Sequence, residues 1–117
     1  MKKSKNNRET GRRYETMAAA FLEQQGYTII EQNYRDRRGE IDLIAKDGND
    51  LVFVEVKYRH DSRNGYPEEA VGYAKQQHIR HTAEYYLYSH HFPGDTPCRF
   101  DVVGILGDQI RLIRDAF

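Results

Sequence analysis

Three side chains able to do chemistry, Asp42, Glu55 and Lys57, stand inside stretches that are otherwise apolar: Ile41-Asp42-Leu43-Ile44-Ala45 and Val52-Phe53-Val54-Glu55-Val56-Lys57. Residues on a strand alternate between faces, so Glu55 and Lys57 project together, roughly 7 Å apart. By the same rule Glu40 and Asp42 share one face of their strand, and Ile41, Leu43 and Ala45 share the other. Between the two runs lies Asp47-Gly48-Asn49-Asp50, which has strong turn chemistry. A two-residue turn at Gly48-Asn49 pairs Asp47 with Asp50, and a four-residue loop pairs Lys46 with Leu51; both give one register. In it Asp42 lies opposite Glu55 and Glu40 opposite Lys57, with Cβ atoms of opposed residues roughly 5 Å apart. Two carboxylates that close repel unless a cation or a proton intervenes. A hard divalent cation such as Mg²⁺, for which Mn²⁺ can substitute, takes one or two carboxylates plus waters and phosphate oxygens. A lysine beside it can stabilise an oxyanion or orient a water. The set suits metal-assisted phosphodiester hydrolysis. The same residues could instead form a surface ladder of ion pairs, Glu40 with Lys57 among them, with no function attached.

The elements that must hold these residues follow from periodicity. Tyr14, Met17, Ala18, Phe21 and Leu22 recur at helical spacing, which predicts a helix from about residue 7 or 10 to 25, stopped by Gly26. Glu15 falls near the edge of that stripe. Strands are expected at 27–34, 40–46 and 51–58, the last rich in valine, with a polar turn at 35–39 and a loop at 59–67. A second helix is expected from near Glu68 or Tyr73 to about Ser89, its apolar face made by Ile79, Ala83, Tyr86 and Leu87. Lys75 and Gln76 at its start could face the site. Strands at 99–106 and 109–113 flank a Gly107-Asp108 turn. The order of helix, three strands, helix and two strands predicts an α/β or α+β fold with a mixed sheet covered by helices.

The chain has 117 residues, 38% of them hydrophobic and 31% charged, which suits one soluble domain. Residues 1–10 read as a basic, flexible tail and 11–117 as the domain. Lys plus Arg equals Asp plus Glu at 18 each, which argues mildly against a nucleic-acid binder. The cations are clustered, however. Arg35, Arg37 and Arg38 precede the second strand, and Arg59 and Arg63 follow the third. Such local fields can steer a polyanion, although solvated loops have the same composition. The single cysteine, Cys98, excludes an intrachain disulfide. With no signal peptide or membrane span in view, a cytoplasmic protein is expected. His78, His81, His90 and His91 lack any zinc-site pattern. Tyr85, Tyr86 and Tyr88 could offer stacking surfaces, but one helix cannot point all three outward, so Tyr86 is expected in the core. Asp101 is expected to pair with Arg99.

The stretch Gly39-Glu40-Ile41-Asp42-Leu43-Ile44-Ala45, followed by Leu51-Val52-Phe53-Val54-Glu55-Val56-Lys57-Tyr58-Arg59, closely resembles the YraN-like family of bacterial proteins. So do Gly11, Glu15, Ala18 and Leu22 before Gly26-Tyr27, Lys75 in the second helix, and Arg99-Phe100-Asp101-Val102-Val103. The resemblance runs from Gly11 to Ile105. It implies membership of the restriction-endonuclease-like superfamily with its PD-(D/E)XK motif, which includes type II restriction enzymes and archaeal Holliday-junction resolvases. It implies a core of helix, three antiparallel strands, helix and strand. It implies that Asp42 and Glu55 are metal ligands and that Lys57 is the catalytic lysine. Glu15 matches the acidic residue that resolvase-like members add to the metal site. Ile41 stands where the motif is named for proline.

Together these readings give a Mg²⁺-dependent endonuclease acting on DNA, with branched or otherwise structured DNA among its candidate substrates. Asp42, Glu55 and Lys57 would be catalytic. Glu15 and Lys75 would support them, as would Glu40 as a partner of Lys57. Arg35, Arg37, Arg38, Arg59 and Arg63 would contact phosphates. A homodimer follows if the two-fold symmetry of a junction applies. The alternative is a binding module that keeps the nuclease fold without its activity.

Overall fold

The computed structural model describes residues 2–63 and 65–117, without the side chains of residues 2–8 and Ala70. The basic side chains at the start of the expected tail therefore lie outside the described residues, while the backbone is helical from Lys2. Helix α1 (Lys2–Gln24) is followed by strands β1 (Thr28–Asp36), β2 (Gly39–Asp47) and β3 (Asp50–Arg59). A short 3-10 turn (Pro67–Ala70) leads to helix α2 (Tyr73–Ser89), then to strands β4 (Cys98–Leu106) and β5 (Gln109–Ile113). This is the expected helix, three strands, helix and two strands, and the five strands form one mixed sheet in sequential order. All neighbours are antiparallel except β3 and β4, which run parallel with α2 as the crossover between them.

Helix α1 ends where expected. Gly26 takes a positive φ of 98°, the Tyr27 N–H donates to the Leu22 carbonyl, and the Gly26 N–H donates to the Glu23 carbonyl. These two bonds satisfy carbonyls that the helix end leaves without partners.

The sheet is covered on both faces. On one, Ala18, Ala19 and Leu22 of α1 pack on Leu43, Ala45, Val52, Val54 and Val56. On the other, Ile79, Ala83 and Tyr86 of α2 pack on Ile41, Ile44, Leu51 and Phe53. A central strand buried on both faces must be apolar throughout, which explains the near-continuous run from Leu51 to Val56. Tyr86 is in the core, as expected.

Three expectations about side-chain direction need correction. The buried residues of α1 are Ala18, Ala19 and Leu22, with Tyr14 and Phe21 partly buried against the same core, and Met17 is 38% exposed. Glu15 is half-buried at the edge of that stripe, where it comes close to Asp42. In β2 the alternation breaks at Asp42: Leu43 and Ala45 join the α1 core, but Ile41 joins Ile44 in the α2 core. The β1–β2 register places Asn33 across from Asp42, and Asn33 has a φ of 55°. A left-handed residue turns the backbone out of the pleat, so β2 twists there. Arg35, expected in a turn, is a residue of β1 paired with Glu40, and the turn is the two residues Arg37 and Arg38.

The far end of the β2–β3 hairpin is held by one cation. Arg99 reaches Asp47 at 2.6 Å, Asp50 at 2.9 Å and Asp101 at 3.0 Å, and donates to the Tyr27 hydroxyl at 2.8 Å. The Tyr27 hydroxyl in turn donates to Asp101. Asp101 is fully buried. Removing the cation would strand that carboxylate, a change that typically costs about 3 kcal/mol or more. Arg99→Ala is therefore expected to lower the melting temperature by roughly 10 °C or more in a calorimetric scan. A shift of only a degree or two would show that the pair makes no net contribution.

Candidate active site

The register foreseen from the turn is the one observed: Asp47 pairs with Asp50, and the ladder continues to Leu43 and Val54. One step further, the Asp42 carboxylate accepts the Val56 N–H at 2.8 Å. Asp42 and Glu55 are therefore brought together, and they lie within hydrogen-bonding reach of each other. Glu15 comes from α1 on the other side of Asp42, also within reach. Lys57 from β3 and Lys75 from the first turn of α2 approach the same Glu55 oxygen, at 3.7 and 3.6 Å. Glu15, Glu40, Asp42, Glu55, Lys57 and Lys75 all line one cleft of about 210 Å³.

The electrostatics follow from burial. Glu55 is 4% exposed. Loss of water around it, then the charge of Asp42, push its carboxyl up to about 8, although Lys75 and Lys57 pull the other way. Burial and Asp42 likewise push Glu15 up to about 7. Asp42 is raised by burial despite the bond from Val56. Three acids with raised proton affinity in one cleft are short of positive charge at neutral pH.

Glu40 does not partner Lys57. Its ion pair is with Arg35 at 3.1 Å, on the exposed surface. It still lines the cleft and adds negative charge near Glu15 and Asp42. The five arginines do gather at the site end of the sheet. Arg35, Arg37 and Arg38 line a surface depression together with Glu40. Arg38 lies over the Tyr85 ring at 3.8 Å. Arg59 and Arg63 line a second cleft with Tyr58, His60 and Asp61, where Arg63 pairs with Asp61.

Among the described residues no group of three or more His, Cys, Asp or Glu side chains has the spacing to hold a metal ion. The donor set nevertheless fits a hard divalent cation of the Mg²⁺ kind, which needs only one or two carboxylates and completes its shell with water and phosphate oxygens. Asp42 and Glu55 are the oxygen donors that would hold it, with Glu15 beside Asp42.

Sequence reasoning did not single out Tyr14 and Tyr58. Their rings stack at the mouth of the same cleft, 4.0 Å apart with an interplanar angle of 15°. Tyr14 looked like a core residue of the helix stripe, and Tyr58 like the ordinary end of a strand.

A five-stranded mixed sheet between two helices, with an acidic pair and a lysine on its second and third strands, is consistent with a restriction-endonuclease-like core. The chain belongs to the family described as Uncharacterised protein family UPF0102, whose pattern matches residues 14–105 and which is YraN-like, as the sequence resemblance indicated. A UPF0102 protein of Lachnoclostridium phytofermentans is 52% identical over 112 residues, covering 96% of this chain and 95% of its own. One from Syntrophus aciditrophicus is 49% identical over 115 residues, 95% and 90% of the two chains. One from Cytophaga hutchinsonii is 52% identical over 96 residues, 82% and 83%. No helix among the described residues is long and apolar enough to cross a membrane.

Proposed function

We propose that this protein is a divalent-cation-dependent phosphodiesterase acting on DNA, with its active site in the Glu15–Asp42–Glu55–Lys57–Lys75 cleft. The observation that carries this reading is the meeting of one buried and two half-buried, mutually repelling carboxylates from β3, β2 and α1 with two lysines. A fold has no structural need of that arrangement, since opposed carboxylates destabilise the sheet that holds them. When bound, a cation of the Mg²⁺ kind would polarise the phosphate and acidify a water. Asp42 and Glu55 would supply its protein oxygens. The Val56 N–H fixes Asp42, and the rigid strand β3 fixes Glu55 and Lys57 on one face. The Lys57 ammonium is placed to meet charge on the non-bridging phosphate oxygens as water attacks phosphorus and the ester oxygen leaves. Lys75 supplies a second ammonium from the opposite wall.

The test is cleavage of linear, single-stranded, flapped and four-way DNA with Mg²⁺ or Mn²⁺, and with EDTA as control. Metal-dependent cutting that is lost in Asp42→Asn supports the reading. Absence of cleavage on every form favours a binding module that retains the fold.

The exposed arginines of the β1–β2 turn serve as phosphate contacts in this reading. Replacing Arg37 and Arg38 by Ala is expected to weaken DNA binding and to flatten its dependence on log salt by about 2 units, roughly one per lost contact. Fluorescence anisotropy across a salt series measures this, and an unchanged slope would return both residues to solvent.

A further inference from the structure

Beside the carboxylate cleft lies a second feature with no role in that chemistry. Tyr58 is at the C-terminal end of β3, next to Lys57 but on the opposite face. It lines three adjoining depressions: the carboxylate cleft, one with Val56, Lys57 and Arg59, and a larger one of about 390 Å³ with Arg59, His60, Asp61 and Arg63. Its ring is backed by Tyr14 in a near-parallel stack and stays 38% exposed. The next residue, Arg59, lines the two outer depressions together with Tyr58, and a guanidinium there matches a phosphate oxygen in charge and hydrogen-bond geometry.

We propose that Tyr58, backed by Tyr14, and Arg59 form a nucleotide subsite in which the stacked rings take one unpaired nucleobase and Arg59 takes the phosphate beside it. This rests on the reading of the cleft as a DNA phosphodiesterase site and narrows its substrate. A base inside a duplex has both faces covered by its neighbours. Only an unpaired or splayed nucleotide offers a face to a protein ring. Lys57 and Tyr58 leave β3 on opposite faces but line the same carboxylate cleft and the same adjoining depression, so a strand that sets a phosphate at Lys57 brings a neighbouring nucleotide to Tyr58. The substrate class is therefore DNA with an unpaired nucleotide beside the bond cut: a single strand, a flap or a branch point. The stack has no base-edge donors or acceptors of its own, so the subsite selects for an open base and not for its identity.

The test uses oligonucleotides carrying 2-aminopurine, whose emission is quenched when it stacks on an aromatic ring. With EDTA present, anisotropy reports binding and emission reports stacking. The wild-type protein is expected to bind the single strand and change the probe's emission, with a smaller change when the probe is paired in a duplex. Tyr58→Leu keeps apolar cover over Tyr14 but removes the π face. It is expected to abolish the emission change and weaken single-strand binding about tenfold, the scale of one lost base–aromatic stack. Tyr58→Phe should restore both, which separates stacking from fold loss. An emission change that survives Tyr58→Leu, or equal weakening of single-strand and duplex binding, overturns the subsite. DNA binding without any emission change sinks the subsite alone, leaving the carboxylate chemistry untouched. Failure to bind any DNA sinks both.

Discussion

Lys57→Met should bind DNA with only a modest loss and cut it about a hundredfold more slowly, the usual scale for one electrostatic contact made in a transition state. The reason lies in position. Lys57 and Glu55 are two residues apart on one face of β3, and the lysine is about one-third exposed with its ammonium 3.7 Å from the Glu55 carboxylate. Methionine keeps most of the aliphatic stem and so the local packing. What disappears is a charge whose worth grows as negative charge builds on the phosphate, so rate falls further than affinity. Single-turnover cleavage with bound substrate, set beside anisotropy in EDTA, separates the two. A wild-type rate in Lys57→Met would show that the lysine is not catalytic. Lys75, at 3.6 Å from the same oxygen, would then be the ammonium to replace next.

The parts of this site legible in the sequence were those governed by local rules. Gly48-Asn49 dictates its own turn and hence the Asp42–Glu55 neighbourhood, because a two-residue turn leaves a single register. Gly26 ended α1 for an equally local reason. Lys75 was reachable because the start of α2 had to lie near the sheet. Less legible were features decided by tertiary packing. The buried face of α1 centres on Ala18 and Ala19, whose small size lets the helix approach the sheet, and this brings Glu15 close to Asp42. Periodicity alone favoured the larger Met17. The break in alternation at Asp42 depends on Asn33 in the neighbouring strand, a pairing no short-range pattern announces. Glu40 went to Arg35 and not to Lys57 because Arg35 continues β1 and faces it across the ladder. The Arg99 network joins residues about fifty positions apart in the chain, so the sequence offered only its local Asp101 arm.

The cation-free protein should lose stability as pH rises from about 5 to about 9, and Glu55→Gln should remove the Glu55 share of that loss, with Glu15 and Asp42, also raised, supplying the rest. Glu55 titrates near 8 in the folded protein, against an ordinary value of 4.5. Below the ordinary value both folded and unfolded chains hold the proton, and the group contributes no pH dependence. Above it the unfolded chain releases the proton while the folded chain keeps it, so each further unit of pH favours unfolding. Near pH 8 the folded protein also ionises and the loss stops growing. The span between the two values corresponds to an effect on the order of 4 kcal/mol. Glutamine cannot ionise, so Glu55→Gln should match the wild type at about pH 5 and exceed it in melting temperature at about pH 9, roughly by 10 °C or more. Mn²⁺ should reverse the order at the higher pH. It binds the folded wild type through ionised Asp42 and Glu55 and raises its stability in proportion to the logarithm of concentration over Kd, while Glu55→Gln gains little. Thermal scans in EDTA and in Mn²⁺ across this pH range read all of these differences. Parallel pH profiles for the two proteins in EDTA would show that Glu55 is not held as a strained acid. A Mn²⁺ shift equal in both would place the cation somewhere other than between Asp42 and Glu55.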